Sequence, residues 1–362
     1  MEKTYSHQKL KEFVIRVFLK MGCPQDQAEK AADILIAADL RGIDSHGVAR
    51  LIGYVQLWET GRVNINPDIR IVHETPSTAV VDGDSGLGLV VAPVAMKMAL
   101  DKAESAGTGW VAVRNSNHYG IAGYHAMEAL SRDMVGISMT NASALVSPTF
   151  SKERMLGTNP IAVAIPADKE PPFVADFATT TAAYGKVEIQ MRKNAPVPSG
   201  WVQDAAGNST TDAFAVKKGG AMLPLGSDRD HGSHKGYCLG AIVDIFSAVC
   251  SGANYGPWAS PFLSYLPLPD NPVGKGIGHF FGAMRIDAFR PAQEFKTHMD
   301  QWIRRFRSAS PANGHPKVLI PGDPEREMTA QRLQSGIPLL APVVEDLQQV
   351  AKKFAVPFDM NL

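Results

Sequence analysis

Apolar residues recur at intervals of three and four near the N-terminus, a spacing that gives a helix one apolar stripe. Gly22-Cys23-Pro24 interrupts this pattern, and we therefore predict two amphipathic helices over residues 4–20 and 24–40. A third helix is predicted to end near Gly61. The stripe of the first helix consists of Leu10, Phe13, Val14, Val17 and Phe18.

Short apolar runs bounded by glycine or proline predict strands in the middle of the chain. The predicted strands are two runs within residues 69–82 around Pro76-Ser77, then residues 110–113, 134–140, 161–166, 173–177, 278–287 and 318–320. Further helices are predicted over residues 89–106 and from the end of the Arg114–Gly120 loop to about Arg132. Four more are predicted over residues 235–252, 291–308, 324–335 and 342–354. Residues 185–225 look less regular, and a hairpin or an exposed loop is predicted around Gly207-Asn208.

This order of elements is mixed α/β, with helices at both ends and strands between them. It predicts a sheet domain over residues 76–289 and a helical domain that combines residues 1–75 with residues 290–362. The helix at 235–252 is expected to be buried, with its two cysteines as small core residues.

Composition narrows the class of protein. The chain has 362 residues, of which 45% are hydrophobic, and this is enough for one large domain or two. Its 36 basic and 36 acidic residues leave no net charge, which argues against nucleic-acid or membrane-surface binding. The N-terminus is polar, no apolar run has the length of a membrane span, and the three cysteines match no disulfide framework. A reducing, cytoplasmic location is therefore expected.

The stretch DLRGIDSHGVARLIGY (residues 39–54) carries the first candidate site. If its apolar run is helical, His46, Arg50 and Tyr54 share one face, with Ser45 beside them. A guanidinium binds a carboxylate through two parallel hydrogen bonds, and histidine titrates near neutral pH. This stripe therefore suits a small carboxylate substrate. The alternative is a helix start capped by Ser45 or the preceding aspartate, with Arg50 in solvent.

Three common kinds of site are not supported. A G-x-G-x-x-G turn between a strand and a helix is absent, so an ordinary Rossmann fold is not predicted. A G-x-S-x-G elbow is absent too, which argues against a serine hydrolase. The cluster Asp228-Arg-Asp230-His231-Gly-Ser-His234 has the spacing of a polar loop rather than of a helical metal site, and no metal is predicted.

A second candidate site follows a predicted strand. The loop Arg114-Asn-Ser-Asn-His118-Tyr-Gly120 opens a helix, and helix N-termini bind anions such as phosphates. The alternative is a helix cap from one of its asparagines. Thr158 lies in a similar turn. Asp176 ends a strand, where open sheets place functional groups, and Lys235 begins a helix, where it could meet a phosphate or carboxylate.

Six stretches together resemble the malate/L-lactate dehydrogenase family, which lacks a Rossmann fold. They are LRGIDSHGVARL (40–51), RNSNHYGIAGYHA (114–126), GTNPIAVAIP (157–166), DFATTTAAYGKV (176–187), HKGYCLGAIVDIFSAVCSGA (234–253) and VLIPGDPE (318–325). They occur in the family's order and span most of the chain. Relatives in this family include ureidoglycolate, sulfolactate and diketogulonate dehydrogenases and piperideine-2-carboxylate reductases.

The resemblance implies hydride transfer between a nicotinamide cofactor, NAD or NADP, and C2 of a small 2-hydroxy or 2-oxo acid. It also implies a predominantly antiparallel sheet and a homodimer with shared active sites. The expected catalytic residues are Ser45, His46, His118 and Asp176, the last as a partner that orients a histidine. The expected substrate contacts are Arg50, which holds the carboxylate, Tyr54 and Thr158. The expected cofactor contacts are His118, Tyr119, Gly120, Ile121, Asp176, Phe177, Ala178, Lys235, Gly322, Asp323 and Pro324.

Several choices stay open from sequence. The proton carrier is His46 or His118, and His46 is favoured because Ser45 and the helical stripe place it beside Arg50. Other interpretations are imine reduction on the same scaffold, a hydrolase, and a non-catalytic binding module. No residue that would distinguish NAD from NADP is recognisable. Substrate choice is expected to depend on residues 253–263 and on the partner subunit.

The sequence departs from the family pattern at two points. Residues 227–233 are an insertion before the HKGY segment, so the cofactor contacts near Lys235 are affected. Cys238 stands where relatives have a glycine, which changes the local packing.

Overall fold

The computed structural model describes residues 3–262 and 266–359. The helices are α1 (His7–Lys20), α2 (Gln25–Leu40), α3 (Leu51–Glu59), α4 (Gly88–Ala106), α5 (Ala122–Met127), α6 (Tyr184–Arg192), α7 (Ser233–Asp244), α8 (Ala292–Arg307), α9 (Asp323–Ser335) and α10 (Ala341–Phe354). The strands are β1 (Lys3–Tyr5), β2 (Arg70–Glu74), β3 (Thr78–Asp82), β4 (Thr108–Ser116), β5 (Met134–Thr140), β6 (Ile161–Ile165), β7 (Phe173–Phe177), β8 (Val202–Gln203), β9 (Ser209–Thr210), β10 (Ala221–Met222), β11 (Ile277–Arg285) and β12 (Ile337–Leu339). Within the described ranges, every helix is too short or too polar to cross a membrane.

A seven-stranded sheet lies at the centre of the fold, in the order β2-β3-β4-β11-β5-β6-β7. Within this sheet β3 and β4 pair in parallel, and the other pairs are antiparallel. Helices α4 and α5 cover one face, where Phe281 lies in the core. Adjacent residues of a strand point to opposite faces, and Phe280 contacts Phe246, just after α7, on the other face. The α/β class with a predominantly antiparallel sheet is confirmed.

The helical layer combines both ends of the chain, as predicted. Helices α1, α2, α3 and α10 share one apolar core, which contains the stripe of α1, and β1 pairs with β12. The division into residues 1–75 with 290–362 and residues 76–289 stays a prediction. Residues 1, 2 and 360–362 of that division lie outside the described residues, as does Leu263 of the loop expected to govern substrate choice.

Helix α8 packs against the sheet rather than in the helical core. Trp302 meets Phe173 of β7 edge-on, with ring centroids 5.8 Å apart. The Asp300 carboxylate accepts hydrogen bonds from the backbone N–H groups of residues 168–170. The segment after residue 290 therefore contacts both parts of the fold.

Two local predictions are wrong. Residues 185–225 contain helix α6, whose Val187 and Met191 pack into a small third core, although the hairpin around Gly207 is confirmed. Residues 318–320 pair with no described strand. The chain turns into α9 there, because the Ile320 N–H donates to the Asp323 carboxylate at 2.9 Å.

The helix predicted to be buried at 235–252 is exposed along one side. α7 and the π-helical turn Ile245–Val249 cover the sheet with one face. Cys238 and Cys250 are exposed, so their placement in the core was wrong. The segment is apolar on several sides, and such a pattern does not distinguish a face that meets the sheet from one that faces outward. The outward apolar side chains, 42–51% exposed, are Ile242, Ile245, Phe246 and Val249.

Glu128, in the turn after α5, is expected to lower the stability of the fold as pH rises. Burial raises the pKa of Glu128 to about 7, although Lys30 of α2 lies 3.7 Å away. A carboxyl whose pKa rises on folding stabilises the folded state below its unfolded pKa and loses that contribution as pH rises through its folded pKa. The free energy of unfolding of Glu128→Gln should therefore exceed that of the wild type by about 1–3 kcal/mol at about pH 8 and be almost equal to it at about pH 4.

Denaturant unfolding of both proteins at the two pH values measures this difference. Glu12→Gln is the matched control, because the Glu12 side chain is 63% exposed and should show no such dependence on pH. A gain of the same size at both pH values would contradict the role given to Glu128.

Candidate active site

The segment between α2 and α3 is not the continuous helix that its sequence predicts. It forms two 3-10 turns, Asp44–His46 and Val48–Arg50, and α3 begins only at Leu51. The cause lies in Asp39, whose buried carboxylate accepts the Val48 N–H at 2.8 Å. Gly47 passes so close to this carboxylate that an added Cβ would lie 1.9 Å from Oδ1.

Arg332 of α9 holds this segment from the C-terminal side of the chain. Its guanidinium donates to the Asp39 carbonyl and to both carboxylate oxygens of Asp44, and Nη2 lies 3.1 Å from Oδ2. Arg332 is buried. Asp44 and Ser45 therefore do not cap a helix, because Asp44 binds Arg332 and Ser45 binds the next residue.

Two imidazoles meet beside this segment. The Ser45 hydroxyl lies 2.8 Å from Nδ1 of His46. His118 comes from the loop after β4, and its ring stacks on that of His46 with centroids 5.5 Å apart and planes 21° apart. Burial, reinforced by the Arg50 cation, lowers the pKa of His46 to about 3. Burial and the neighbouring His46 and Arg50 also lower the pKa of His118 well below its usual value, so both rings are neutral in the ligand-free protein.

Tyr54 lies behind His118 rather than at the surface of a pocket. Its side chain is fully buried, and its hydroxyl is 2.6 Å from Nδ1 of His118. The expected contact between Tyr54 and a substrate stays a prediction, and the structure places the His118 ring beside the phenol.

Arg50 is held by two contacts. Its Nε donates to the Ser45 carbonyl at 2.5 Å, and its Nη2 forms an ion pair of 2.8 Å with Glu188 of α6. Its Nη1 has no partner among the described residues. The guanidinium lies 5.9 Å from the centroid of the Phe262 ring and lines a cleft of about 240 Å³.

A small cavity of about 70 Å³, with both apolar and polar side chains in its lining, adjoins these groups. His46 and His118 form one wall, and Thr158 lies in the lining as expected. Phe262 closes the cavity, with its ring 4.6 Å from that of His118. Such a volume suits one small ligand group with several hydrogen-bonding partners. The remaining polar side chains in the lining are Asn117, Thr140, Asn141, Ser143 and Ser260.

A second cluster forms where β7 ends. Asp176 accepts a hydrogen bond of 2.7 Å from the Gly123 N–H of α5, and burial raises the pKa of Asp176 to about 6. It contacts no histidine among the described residues, so the expectation that it orients one is not met. The positive charge of Arg41 acts on this carboxylate. The turn Gly322-Asp323-Pro324 lies alongside, because the preceding Pro321 carbonyl accepts the Val174 N–H at 3.1 Å.

The other expected cofactor residues are less closely grouped. Gly120 and Tyr119 line the small cavity, but the Tyr119 ring is a core group stacked between His125 and His279. Ile121 is buried and precedes α5. The remaining positions are exposed or half-buried: Phe177, Ala178 and Lys235, the last in the first turn of α7.

The polar loop before α7 is occupied with its own contacts. Asp228 and His231 form an ion pair of 2.8 Å at the surface, within the 227–233 insertion. Across residues 3–262 and 266–359, no three histidine, cysteine, aspartate or glutamate side chains are grouped to hold a metal ion.

Comparison with known proteins connects this geometry to a family. A sequence model of the malate/L-lactate dehydrogenase family matches residues 5–348. The chain belongs to this family. It is 43% identical to a malate dehydrogenase of Pyrococcus horikoshii over 349 residues, which cover 96% of this chain and 94% of that protein. It is 36% identical to an L-sulfolactate dehydrogenase of Methanocaldococcus jannaschii, with 96% of each chain covered.

The fold agrees with this assignment. The crystal structure of a malate dehydrogenase from Entamoeba histolytica superposes with a TM-score of 0.91 at 34% identity and covers 99% of this chain and 100% of that one. As a member of the malate/L-lactate dehydrogenase family the protein is a hydroxy-acid dehydrogenase. The resemblance seen in the six sequence stretches is confirmed.

Membership of this family implies a nicotinamide cofactor, and the cluster at the end of β7 fits one. A dinucleotide has ribose hydroxyls, which donate hydrogen bonds to carboxylates, and phosphates, which guanidinium groups bind. Asp176 has one oxygen without a partner among the described residues, and Arg41 and Arg326 lie close enough to influence one another's charge. A carboxylate for the ribose hydroxyls and guanidinium groups for the phosphates are therefore both present.

Sequence alone missed Glu188 and Arg332, which hold the site from distant elements. Glu188 was not predicted as a site residue because α6 was not predicted, although Val187 and Met191 have the spacing of one helical face. Arg332 gave no local signal, because its partners lie almost 300 residues earlier in the chain, at a separation of 288 to 293.

Proposed function

We propose that the enzyme interconverts a small 2-hydroxy acid, such as malate or lactate, and the corresponding 2-oxo acid. One juxtaposition supports this: two stacked imidazoles at a small cavity, with a guanidinium close enough for its charge to lower their pKa values. A carboxylate and a neighbouring oxygen are the two groups that such a set binds best.

Arg50 binds the substrate carboxylate through Nη1, the donor that its contacts with Ser45 and Glu188 leave available. The C2 oxygen then lies between His46 and His118. A bound nicotinamide supplies or takes up the hydride at C2. During oxidation a histidine accepts the hydroxyl proton, and during reduction it returns that proton to the oxygen. The bound carboxylate offsets the charge of Arg50 and so raises the pKa of the accepting histidine.

His46 is the proton carrier that we favour, although the helical stripe that first favoured it is not formed. Its Nδ1 faces the Ser45 hydroxyl at 2.8 Å. A hydroxyl both donates and accepts, so it accommodates Nδ1 with a proton while Nε2 gains or loses one. Ser45 thus serves His46 in both protonation states.

The adenosine half of the cofactor is placed at Asp176, Arg41 and the turn Gly322-Asp323-Pro324. Carboxylates suit the free ribose hydroxyls of NAD, whereas guanidinium groups suit the extra phosphate of NADP. Asp176 and Glu325 supply the carboxylates, and Arg41 and Arg326 supply the guanidinium groups. The cofactor is therefore NAD or NADP, and titration with each reduced form, followed by nicotinamide fluorescence, measures the preference.

A homodimer is the expected assembly, with active sites completed across the interface. The outward apolar face of Ile242, Ile245, Phe246 and Val249 supports it, since large apolar side chains exposed side by side mark interaction surfaces. We place this dimer in the cytoplasm, where the three free cysteines, Cys23, Cys238 and Cys250, stay reduced.

Val249→Asp is expected to break this dimer. Val249 is 51% exposed in the single chain, and a buried carboxylate in an apolar interface without a partner costs several kcal/mol. The dissociation constant measured by analytical ultracentrifugation should rise by about 100-fold or more. Val72→Asp is the matched control, because Val72 is 47% exposed on edge strand β2 and lies outside the apolar face. A Val249→Asp protein that stays dimeric at the wild-type concentration would exclude this interface.

The function itself is tested by following nicotinamide absorbance with a panel of 2-oxo acids and both reduced cofactors. The panel includes cyclic imino acids, because reduction of C=N on the same scaffold is the second candidate. Turnover of imino acids alone would overturn the hydroxy-acid proposal. Cleavage of esters or amides without cofactor would point to a hydrolase, and cofactor binding without turnover would point to a binding module.

A further inference from the structure

The hydroxyl of Tyr54 faces a side-chain nitrogen of His118. Tyr54 is fully buried, and Nδ1 of His118, at 2.6 Å, is the one side-chain acceptor of its proton among the described residues. A buried hydroxyl donates its proton to a partner, because an unsatisfied donor is costly. Burial also raises the pKa of Tyr54 above its usual value, so the phenol keeps its proton. The bond therefore runs from the tyrosine O–H to the histidine nitrogen.

A backbone donor lies beside the same nitrogen. The N–H of Gly120 is 3.3 Å from Nδ1 of His118 and also acts on the Tyr54 oxygen, and a backbone N–H only donates. Gly120 has a φ of +82°, and an added Cβ would lie 2.6 Å from Cγ2 of Ile34. Glycine thus permits the turn that directs this N–H at the ring.

The Tyr54 O–H donates to Nδ1, with the Gly120 N–H beside it, so that nitrogen must carry a lone pair. A neutral imidazole carries one proton, so the proton of His118 must be on Nε2. The adjacent His46 and Arg50 disfavour a second proton on the ring. The tautomer of His46 is not fixed in this way, because its Nδ1 contacts the Ser45 hydroxyl, which can either donate or accept a hydrogen bond.

We propose that Tyr54 is a positioning residue that fixes His118 as the Nε2–H tautomer, so that this ring donates a hydrogen bond to the C2 oxygen of the substrate while His46 exchanges the proton. This division of roles rests on the proposed function. During oxidation the substrate O–H bond breaks, its proton forms a bond with Nε2 of His46, and the hydride leaves C2 for the nicotinamide. The N–H bond of His118 is neither made nor broken. In reduction the same N–H polarises the carbonyl before the hydride arrives.

The spacing of the two stacked rings permits this arrangement. Their centroids are 5.5 Å apart. A substrate oxygen beside the stack, about 2.7–3.0 Å from one nitrogen of each ring, can accept from one imidazole and donate to the other.

The tautomer is tested directly by nitrogen NMR of the ligand-free protein labelled with ¹⁵N-histidine. The His118 signals are identified by their absence from a His118→Gln protein. In the wild type we expect Nδ1 to show the shift of a nitrogen with a lone pair and Nε2 that of a protonated nitrogen, from about pH 6 to about pH 8. In Tyr54→Phe the opposite tautomer should appear as well. A protonated Nδ1 in the wild type would overturn the proposal, and so would an unchanged tautomer in Tyr54→Phe.

Kinetics of Tyr54→Phe test the consequence for catalysis. The variant keeps the ring contacts with Phe18 and Phe262, so the fold should persist, and thermal unfolding checks this. We expect kcat to fall by about 10- to 100-fold, while KM for the 2-oxo acid and the Kd for cofactor stay within about threefold. The pH-dependent limb assigned to His46 should remain. Tyr5→Phe, which removes a hydroxyl from the same helical core, is the matched control and should match the wild type.

These outcomes separate the inference from the function on which it rests. If the wild type turned over none of the acids, the proposed function would fail, yet the NMR result would still decide the tautomer. If the tautomer shifted in Tyr54→Phe and kcat did not fall, the role given to His118 would be wrong.

Discussion

His46→Ala is expected to lower turnover by about 10²- to 10⁴-fold, the range over which a general acid or base contributes. The variant loses the imidazole that exchanges the proton with the C2 oxygen, whereas Arg50 and the cluster at Asp176 are untouched. The Kd for cofactor should therefore stay unchanged, and the pH-dependent limb of kcat should disappear. Steady-state kinetics from about pH 5 to about pH 9 measure both effects.

His118→Ala provides the decisive comparison. It should also slow turnover, because a donor to the substrate oxygen is lost, but the pH-dependent limb should persist. If instead His118→Ala removed the limb and His46→Ala kept it, the proton carrier would be His118. His73→Ala serves as the control, because His73 is exposed on β2 and should leave both kcat and the pH profile unchanged.

Arg50→Met is expected to raise KM for the 2-oxo acid by about 10²- to 10³-fold, with a smaller change in kcat. The variant removes the charge that binds the substrate carboxylate, and loss of one partner from a desolvated charge pair costs about 3–4 kcal/mol. Arg50→Lys should lie between the two proteins, because an ammonium group keeps the charge but not the planar guanidinium that presents Nη1 while Nε and Nη2 bind Ser45 and Glu188. Initial rates over a wide range of substrate concentrations measure these values.

The partner of Arg50 needs its own control. Arg50→Met leaves the Glu188 carboxylate, which is 24% exposed, without its cation, and this could distort α6. The double variant Arg50→Met, Glu188→Gln removes the unpaired charge and should keep the raised KM. Recovery of a wild-type KM in the double variant would show that the single variant acts through Glu188 rather than through the substrate.

Sequence periodicity predicted most elements of this fold, because the buried face of most helices and strands follows from the spacing of their own apolar residues. The strands of the central sheet and the helices of both ends follow apolar spacing closely, and β5 has its predicted bounds, Met134–Thr140. The continuous helix through His46 failed because a buried carboxylate from the preceding helix captures the Val48 N–H. Such a long-range hydrogen bond overrides local helical propensity and leaves no periodic signal.

The chemistry of the site was predictable in part. Residue types and the family resemblance indicated His46, His118, Arg50 and Thr158, and the fold brings these together around neighbouring cavities. The contact between Tyr54 and His118 was not predictable, since 64 residues separate the two side chains. Sequence also placed Tyr54 on a stripe with His46 that the two 3-10 turns disrupt.

The bonds from Arg332 to Asp39 and Asp44 have a consequence for biosynthesis. They join parts of the chain that emerge from the ribosome some 290 residues apart, which at about 5–20 residues per second means a delay of roughly 15–60 seconds. Until Arg332 has been translated, the segment that carries Ser45, His46 and Arg50 lacks the bonds that fix Asp44 and the Asp39 carbonyl. The protein should therefore acquire catalytic competence late, after most of its sheet has already been made.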